Sequence, residues 1–180
     1  MACCSRSPSS RRSGTATTER RDPVGPGQES VWDYPRPPSA DVTGRHIEIE
    51  VGGRLIADTR RAIRVCETSH PPVYYVPRED IADGVLQRAE GSSWCEWKGA
   101  ATYWDAVVDG WRVPAVGWSY EDPSPGYEHL RGAVAFYPGK VDRALVDGEQ
   151  ARPQPGDFYG GWITADVAGP FKGAPGTLGW

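Results

Sequence analysis

Apolar and polar positions alternate in short runs along most of this chain. In Arg45–Val51, Ile47, Ile49 and Val51 alternate with His46, Glu48 and Glu50, the period of a half-buried strand. Gly52-Gly53 follows at once and Arg54–Ala57 resumes the run, which predicts a tight hairpin because both turn positions need positive φ. Ala62–Glu67 alternates again, and Val73–Val76 is a short aromatic strand ended by Pro77. Arg78–Leu86 has only weak periodicity and is read as one or two irregular helical turns. Ala101–Val108 and Trp111–Val113 flank Asp109-Gly110, while Arg143–Val146 and Glu149–Arg152 flank Asp147-Gly148, giving two Asp-Gly hairpins. Ala115–Tyr120 and Ala133–Tyr137 are further strands. About nine short strands with no long helix predict a mainly β, single-domain antiparallel sheet structure. Residues 156–180 hold seven Gly and read as loops pinned by Phe158, Trp162 and Phe171.

Composition agrees with this class. In 180 residues there are 22 Gly and 17 Pro, too many chain breakers for a helical bundle. Eight Trp and eight Tyr supply what a small core buries. The first 28 residues hold almost no large apolar side chain, so they cannot offset their own ordering entropy and are expected to form a disordered basic leader. The single domain is then residues 29–180. The leader carries five Arg against Glu19 and Asp22, and the net charge is −4, so the body is acidic. An acidic body excludes nucleic acid as the expected partner, since phosphate contacts need clustered Lys and Arg. No apolar run reaches membrane-spanning length and no secretory h-region follows the leader's charges. A cytoplasmic protein with free thiols is expected. Cys3, Cys4, Cys66 and Cys95 form no CxxC pair, so neither structural zinc nor another metal is expected, and no cofactor motif is present. Arg outnumbers Lys 17 to 3 and Asn is absent, the mark of high-GC coding bias.

Three segments carry candidate chemistry. In Glu67-Thr-Ser-His70-Pro-Pro a strand ends on a carboxylate and a rigid turn presents an imidazole. A nearby carboxylate orients a histidine and raises its pKa, the usual basis of acid–base work. In Trp94-Cys95-Glu96-Trp97-Lys98 an ammonium stands among aromatics, where it can hold a developing oxyanion. Trp118-Ser119-Tyr120 supplies an aromatic pair that can wall a pocket for a planar ligand. The Walker, dinucleotide and nucleophile-elbow patterns are all absent.

The stretches ESVWDYPRPP, GGRLIADTRRAIRVCETSHPPVYYVPRED, WCEWKGAATYW, VGWSYEDP with GAVAFYP, and FYGGWITADVAGPFKGAPGTLGW run in order from residue 29 to the end. Together they resemble the domain of unknown function 427 family, also labelled nucleotidyltransferase-like. The resemblance implies a compact folded pair of sheets, a β-tent of the Mss4-like type, here without the zinc knuckles some such relatives use. It also implies one shared pocket built from Glu67, Tyr75, Lys98, Tyr103, Trp118 and Tyr120. The nucleotidyltransferase label would need paired carboxylates for magnesium. Asp58, Asp80 and Asp83 are the candidates for such a pair.

These readings converge on a small-molecule enzyme with a metal-free, aromatic-lined pocket. Its expected reaction is proton transfer beside a carbonyl, of dehydratase, isomerase or lyase type, on a planar carbonyl or quinone-like metabolite. Glu67, His70 and Lys98 are the catalytic candidates. Arg64, Tyr75, Tyr103, Trp118 and Tyr120 are the substrate-binding ones. The alternatives are a non-catalytic ligand- or peptide-binding module and a nucleotidyltransferase.

Overall fold

The computed structural model describes residues 21–156, 158–177, 179 and 180. Its strands are β1 (Glu29–Ser30), β2 (Ser39–Val42), β3 (Ile47–Val51), β4 (Arg54–Thr59), β5 (Ile63–Cys66), β6 (Val73–Val76), β7 (Leu86–Cys95) and β8 (Gly99–Val108). They continue with β9 (Trp111–Ser119), β10 (Val134–Phe136), β11 (Arg143–Val146), β12 (Glu149–Gln150), β13 (Arg152–Pro153), β14 (Trp162–Ile163) and β15 (Val167–Ala168). No helix among the described residues is long and apolar enough to cross a membrane.

Two antiparallel sheets organise the molecule. One has seven strands in the order β2-β5-β6-β10-β9-β8-β7, and the other has four in the order β12-β11-β3-β4. The predicted turns close their hairpins as the sequence requires: Asp109-Gly110 and Asp147-Gly148 all sit at positive φ. The four-stranded sheet lays Ile47, Ile49, Val51, Ala144 and Val146 against Tyr74, Val76, Val108, Val134 and Phe136 of the larger sheet, and this layer is the main core. Alternation then sends the intervening residues of the same central strands the other way. Tyr75 and Ala135 lie on the opposite face with Ile63, Val65, Trp118 and Tyr120. The central strands are thus buried on both faces, which is why β6 reads as a continuous apolar and aromatic run.

Several expectations are corrected. Order reaches further forward than residue 29. The Asp22 amide donates to the Gly169 carbonyl at 3.1 Å, and the Gln28 side chain donates to the Ala165 carbonyl at 2.7 Å. The disordered-leader reading of residues 1–20, with Cys3 and Cys4, falls outside the described residues. Helical structure in Arg78–Leu86 shrinks to one 3-10 turn at Arg78–Asp80. Strand β7 has no counterpart in the sequence reading, because it lies at the edge of its sheet and few of its side chains are buried, so no alternation develops. The segments on either side of Pro114 are one strand, β9, whose ladder with β8 shifts register next to Ala115 at φ 45. Trp162, read as a loop pin, is fully buried in the main core and donates to the Phe136 carbonyl at 3.0 Å.

Phe136 is fully buried between the sheets. Phe136→Ala is expected to cost about 3–5 kcal/mol. Val42→Ala, at a side chain 70% exposed, should change stability by no more than about 0.5 kcal/mol. Denaturant unfolding of the two variants checks both values.

Candidate functional site

Strand register builds the floor of the site. Ile63 pairs with Tyr75, Tyr75 with Ala135, Ala135 with Trp118, and Trp118 with Tyr103. One row of side chains therefore crosses five strands on the face away from the main core. The small Ala135 leaves room for its neighbours to meet over it, and Trp118 Nε1 donates to the Tyr75 hydroxyl at 3.1 Å. Tyr103 donates to Ser93 of β7 at 2.8 Å, and the Trp118 ring lies 4.6 Å from that of Tyr137. Above this floor is a cavity of about 400 Å³. Its walls are the turn with Glu67, His70 and Pro71, the β7–β8 tip from Trp94 to Lys98, Gln154, Phe158, Tyr159 and Gly160, and Lys172. Burial raises the pKa of the Tyr75, Tyr120 and Tyr137 hydroxyls, so all three stay protonated at neutral pH.

The FYGGW segment is required by close approach. A Cβ on Gly160 would stand 2.3 Å from the Trp118 ring, and one on Gly161 2.4 Å from Gln154 Oε1. The two glycines let the backbone lie flat on the floor and deliver Gln154, which is 3% exposed. Gln154 Oε1 accepts from the Gly161 amide at 3.1 Å, which fixes the carboxamide's orientation. Its Nε2 then donates to the Lys172 carbonyl at 2.8 Å and to His70 Nδ1 at 3.0 Å. With Nδ1 accepting, the imidazole proton resides on Nε2.

Of the predicted residues, Glu67, His70, Lys98, Tyr75, Tyr103, Trp118 and Tyr120 all line this one cavity. Arg64 does not. Val65 faces the cavity, so its neighbour Arg64 projects from the other face, where it binds Glu29 and the Tyr34 hydroxyl. The expected pairing of Glu67 with His70 is also corrected. Glu67 pairs with Arg36 at 3.3 Å, and Gln154 is the group that orients His70. The imidazole is 9% exposed, and its pKa moves down, not up. Burial first, then the charges of Lys172, Arg36 and Lys98, push it to about 3. Lys98 is 7% exposed and makes no ion pair or side-chain hydrogen bond among the described residues. Cys95 lines the cavity, whereas Cys66 is buried in β5 with its thiol pushed up to about 11 by burial.

Gln154, Tyr137, Tyr159 and Lys172 were not foreseen as site residues. The one sequence signal for them was the Gly-Gly pair between aromatics. Asp58 pairs with His46 at 2.6 Å, and Asp80 is gripped by Arg61 and Thr59. Among the described residues no group of three or more His, Cys, Asp or Glu side chains is arranged to hold a metal ion.

The unfolded chain protonates His70 near 6.5, whereas the folded chain does so near 3. Between those values the unfolded state holds the extra proton, so this group lowers stability as pH falls through the window and leaves it flat above. The His70 ring signals in an NMR titration should stay constant from about pH 8 to about pH 4. A midpoint near the ordinary value would contradict the burial described above.

No curated protein matches the chain. One family model does, over residues 39–147, and it spans β2 through the β11–β12 turn and hence the floor of the cavity, Glu67, His70 and Lys98. That match covers more than half of the chain, which belongs to the family described as a domain of unknown function (DUF427).

Proposed function

We propose that the chain is a small-molecule enzyme that binds a planar carbonyl or quinone-like metabolite in the aromatic cavity and transfers a proton beside its carbonyl. The observation that carries this reading is Lys98, a buried ammonium on the cavity wall with no anionic partner among the described residues. An ammonium held in that state favours an oxygen that gains negative charge during reaction. The tyrosines and Trp118 provide flat apolar walls for the rest of the molecule.

Roles follow from the geometry. The Glu67 carboxylate, steadied by Arg36, takes the proton from the carbon next to the carbonyl. The C–H electron pair becomes a C=C bond, and the carbonyl π pair moves onto oxygen. Lys98 stabilises that oxygen, and His70 donates to it through Nε2–H. A neutral imidazole polarises a carbonyl without first having to lose a proton. Return of the proton at another carbon gives isomerisation, and departure of a β-substituent gives elimination. His70 is assigned as a donor because a group protonating near 3 is a poor base at neutral pH. That same property favours a second reading, a binding module that carries out no reaction.

Deuterium incorporation separates the two readings. The full chain is incubated in D₂O with acetophenone, 1-indanone and phenylpyruvate, and the α-protons are followed by NMR. The enzyme reading expects exchange of at least one compound about a hundredfold above buffer. Lys98→Met and Glu67→Gln should each lower that rate by about a hundredfold while the melting temperature is retained. Exchange at the buffer rate throughout leaves the binding module.

A further inference from the structure

The cavity is electrically lopsided. Lys98, Lys172 and His70 line it from loops and strand ends, and both lysines oppose protonation of His70. Tyr75, Tyr103 and Trp118 of the sheet line it as well, with Tyr137 beyond β10. The acidic groups on the walls do not balance the cations. Glu67 is taken up by Arg36, and Glu96 is exposed. Lys172 Nζ already donates to the Trp180 main-chain oxygen at 2.7 Å. One ammonium, that of Lys98, is left over. An unpaired ammonium on the cavity wall calls for a ligand that brings an acceptor and a negative charge.

We infer that the ligand of this cavity is an aromatic or otherwise planar carboxylic acid, its ring on the Tyr75–Trp118–Tyr103 floor and its carboxylate on Lys98 and His70 Nε2–H. The inference rests on the cavity being the ligand site proposed above, and it adds that the oxygen held by Lys98 and His70 Nε2–H belongs to the ligand's carboxylate, so that the carbonyl activated there is the carboxylate's own. A carboxylate takes one ammonium and one further donor, which Lys98 and His70 Nε2–H supply. The volume, about 400 Å³, is roughly a dozen waters' share of liquid, which suits one or two fused rings with a small polar group.

Calorimetric titration of the full chain at neutral pH with 2-naphthoate and with 2-naphthamide tests this. The two probes match in shape and differ in charge. The acid is expected to bind about ten- to a hundredfold more tightly, the range for a hydrogen bond to a charged group. Lys98→Met should abolish that preference and leave the amide's affinity in place, and Lys98→Arg should keep the preference. Equal affinities for the unaltered chain, or no binding of either probe, would overturn the inference without reference to any variant. Neither probe has an exchangeable α-proton, so this result is independent of the deuterium experiment. A preference for the acid with no exchange retains the anion site and removes the reaction. Exchange of the neutral ketones without that preference does the reverse.

Discussion

The candidate site depends on a single carboxamide. Gln154 joins the turn before β6, its own Gly-rich stretch and the segment around Lys172, adding side-chain bonds to the main-chain ones from Gln154 N to the Gly161 carbonyl and from Lys172 N to the Ser69 carbonyl. Each of its bonds satisfies a group that would otherwise be buried unpaired, at about 1–3 kcal/mol apiece. Its orientation has chemical consequences as well. Because Oε1 is committed to the Gly161 amide, Nε2 must face His70, and the imidazole must present its proton to the cavity. An ordinary amide thus decides whether the histidine acts as a donor or a base.

Beneath that clamp lies a constraint on the sheet. Strands β6, β10 and β9 are covered on one side by the four-stranded sheet and on the other by the cavity's aromatic floor. The core side is filled by Tyr74, Phe136 and Trp162, all essentially inaccessible. The other side carries equally large rings but leaves space above them. Rings that face a void give up dispersion contacts that a filled interior would provide. The loops partly recover this by laying the Gly160 backbone on Trp118 and by setting Tyr159 edge-on to His70 at 4.6 Å. The floor is accordingly rigid, and its far wall is made of loops.

Class, hairpins and the floor residues were legible in the sequence because each is a local signal. Asp-Gly turns, the Tyr74-Tyr75 pair and Trp118 announce themselves within a few residues. What escaped was decided at long range. Gln154 has nothing around it to mark it, and its role arises from residues 84 and 18 positions away. Strand β7 pairs on one side alone, so burial imposes little pattern on it. The downward pKa of His70 was not legible because the packing that buries the ring, and after it the charges of Lys172 and Arg36, come from other segments. Arg64 is a different case. Ile63 and Val65 already marked one face of β5, and strand parity places Arg64 on the other. The error there came from grouping residues by chemistry before asking which way the strand points them.

The charge distribution is where stability and function part. A methionine at position 98 would fill the same space among Trp97, Cys95 and the floor at no desolvation cost. Lys98 instead keeps an ammonium within an apolar wall, beside a second lysine and an imidazole that those two charges help keep neutral. In the empty protein Lys98 has no ion-pair partner among the described residues. The anion proposed above would supply one. Its charge is then shared with Lys98, its oxygens meet donors already aimed at them, and the donors need no reorganisation. Donors held in place before the ligand arrives are pre-organised for the proposed charge, and the aromatic floor that lines the same cavity favours a flat molecule to carry it.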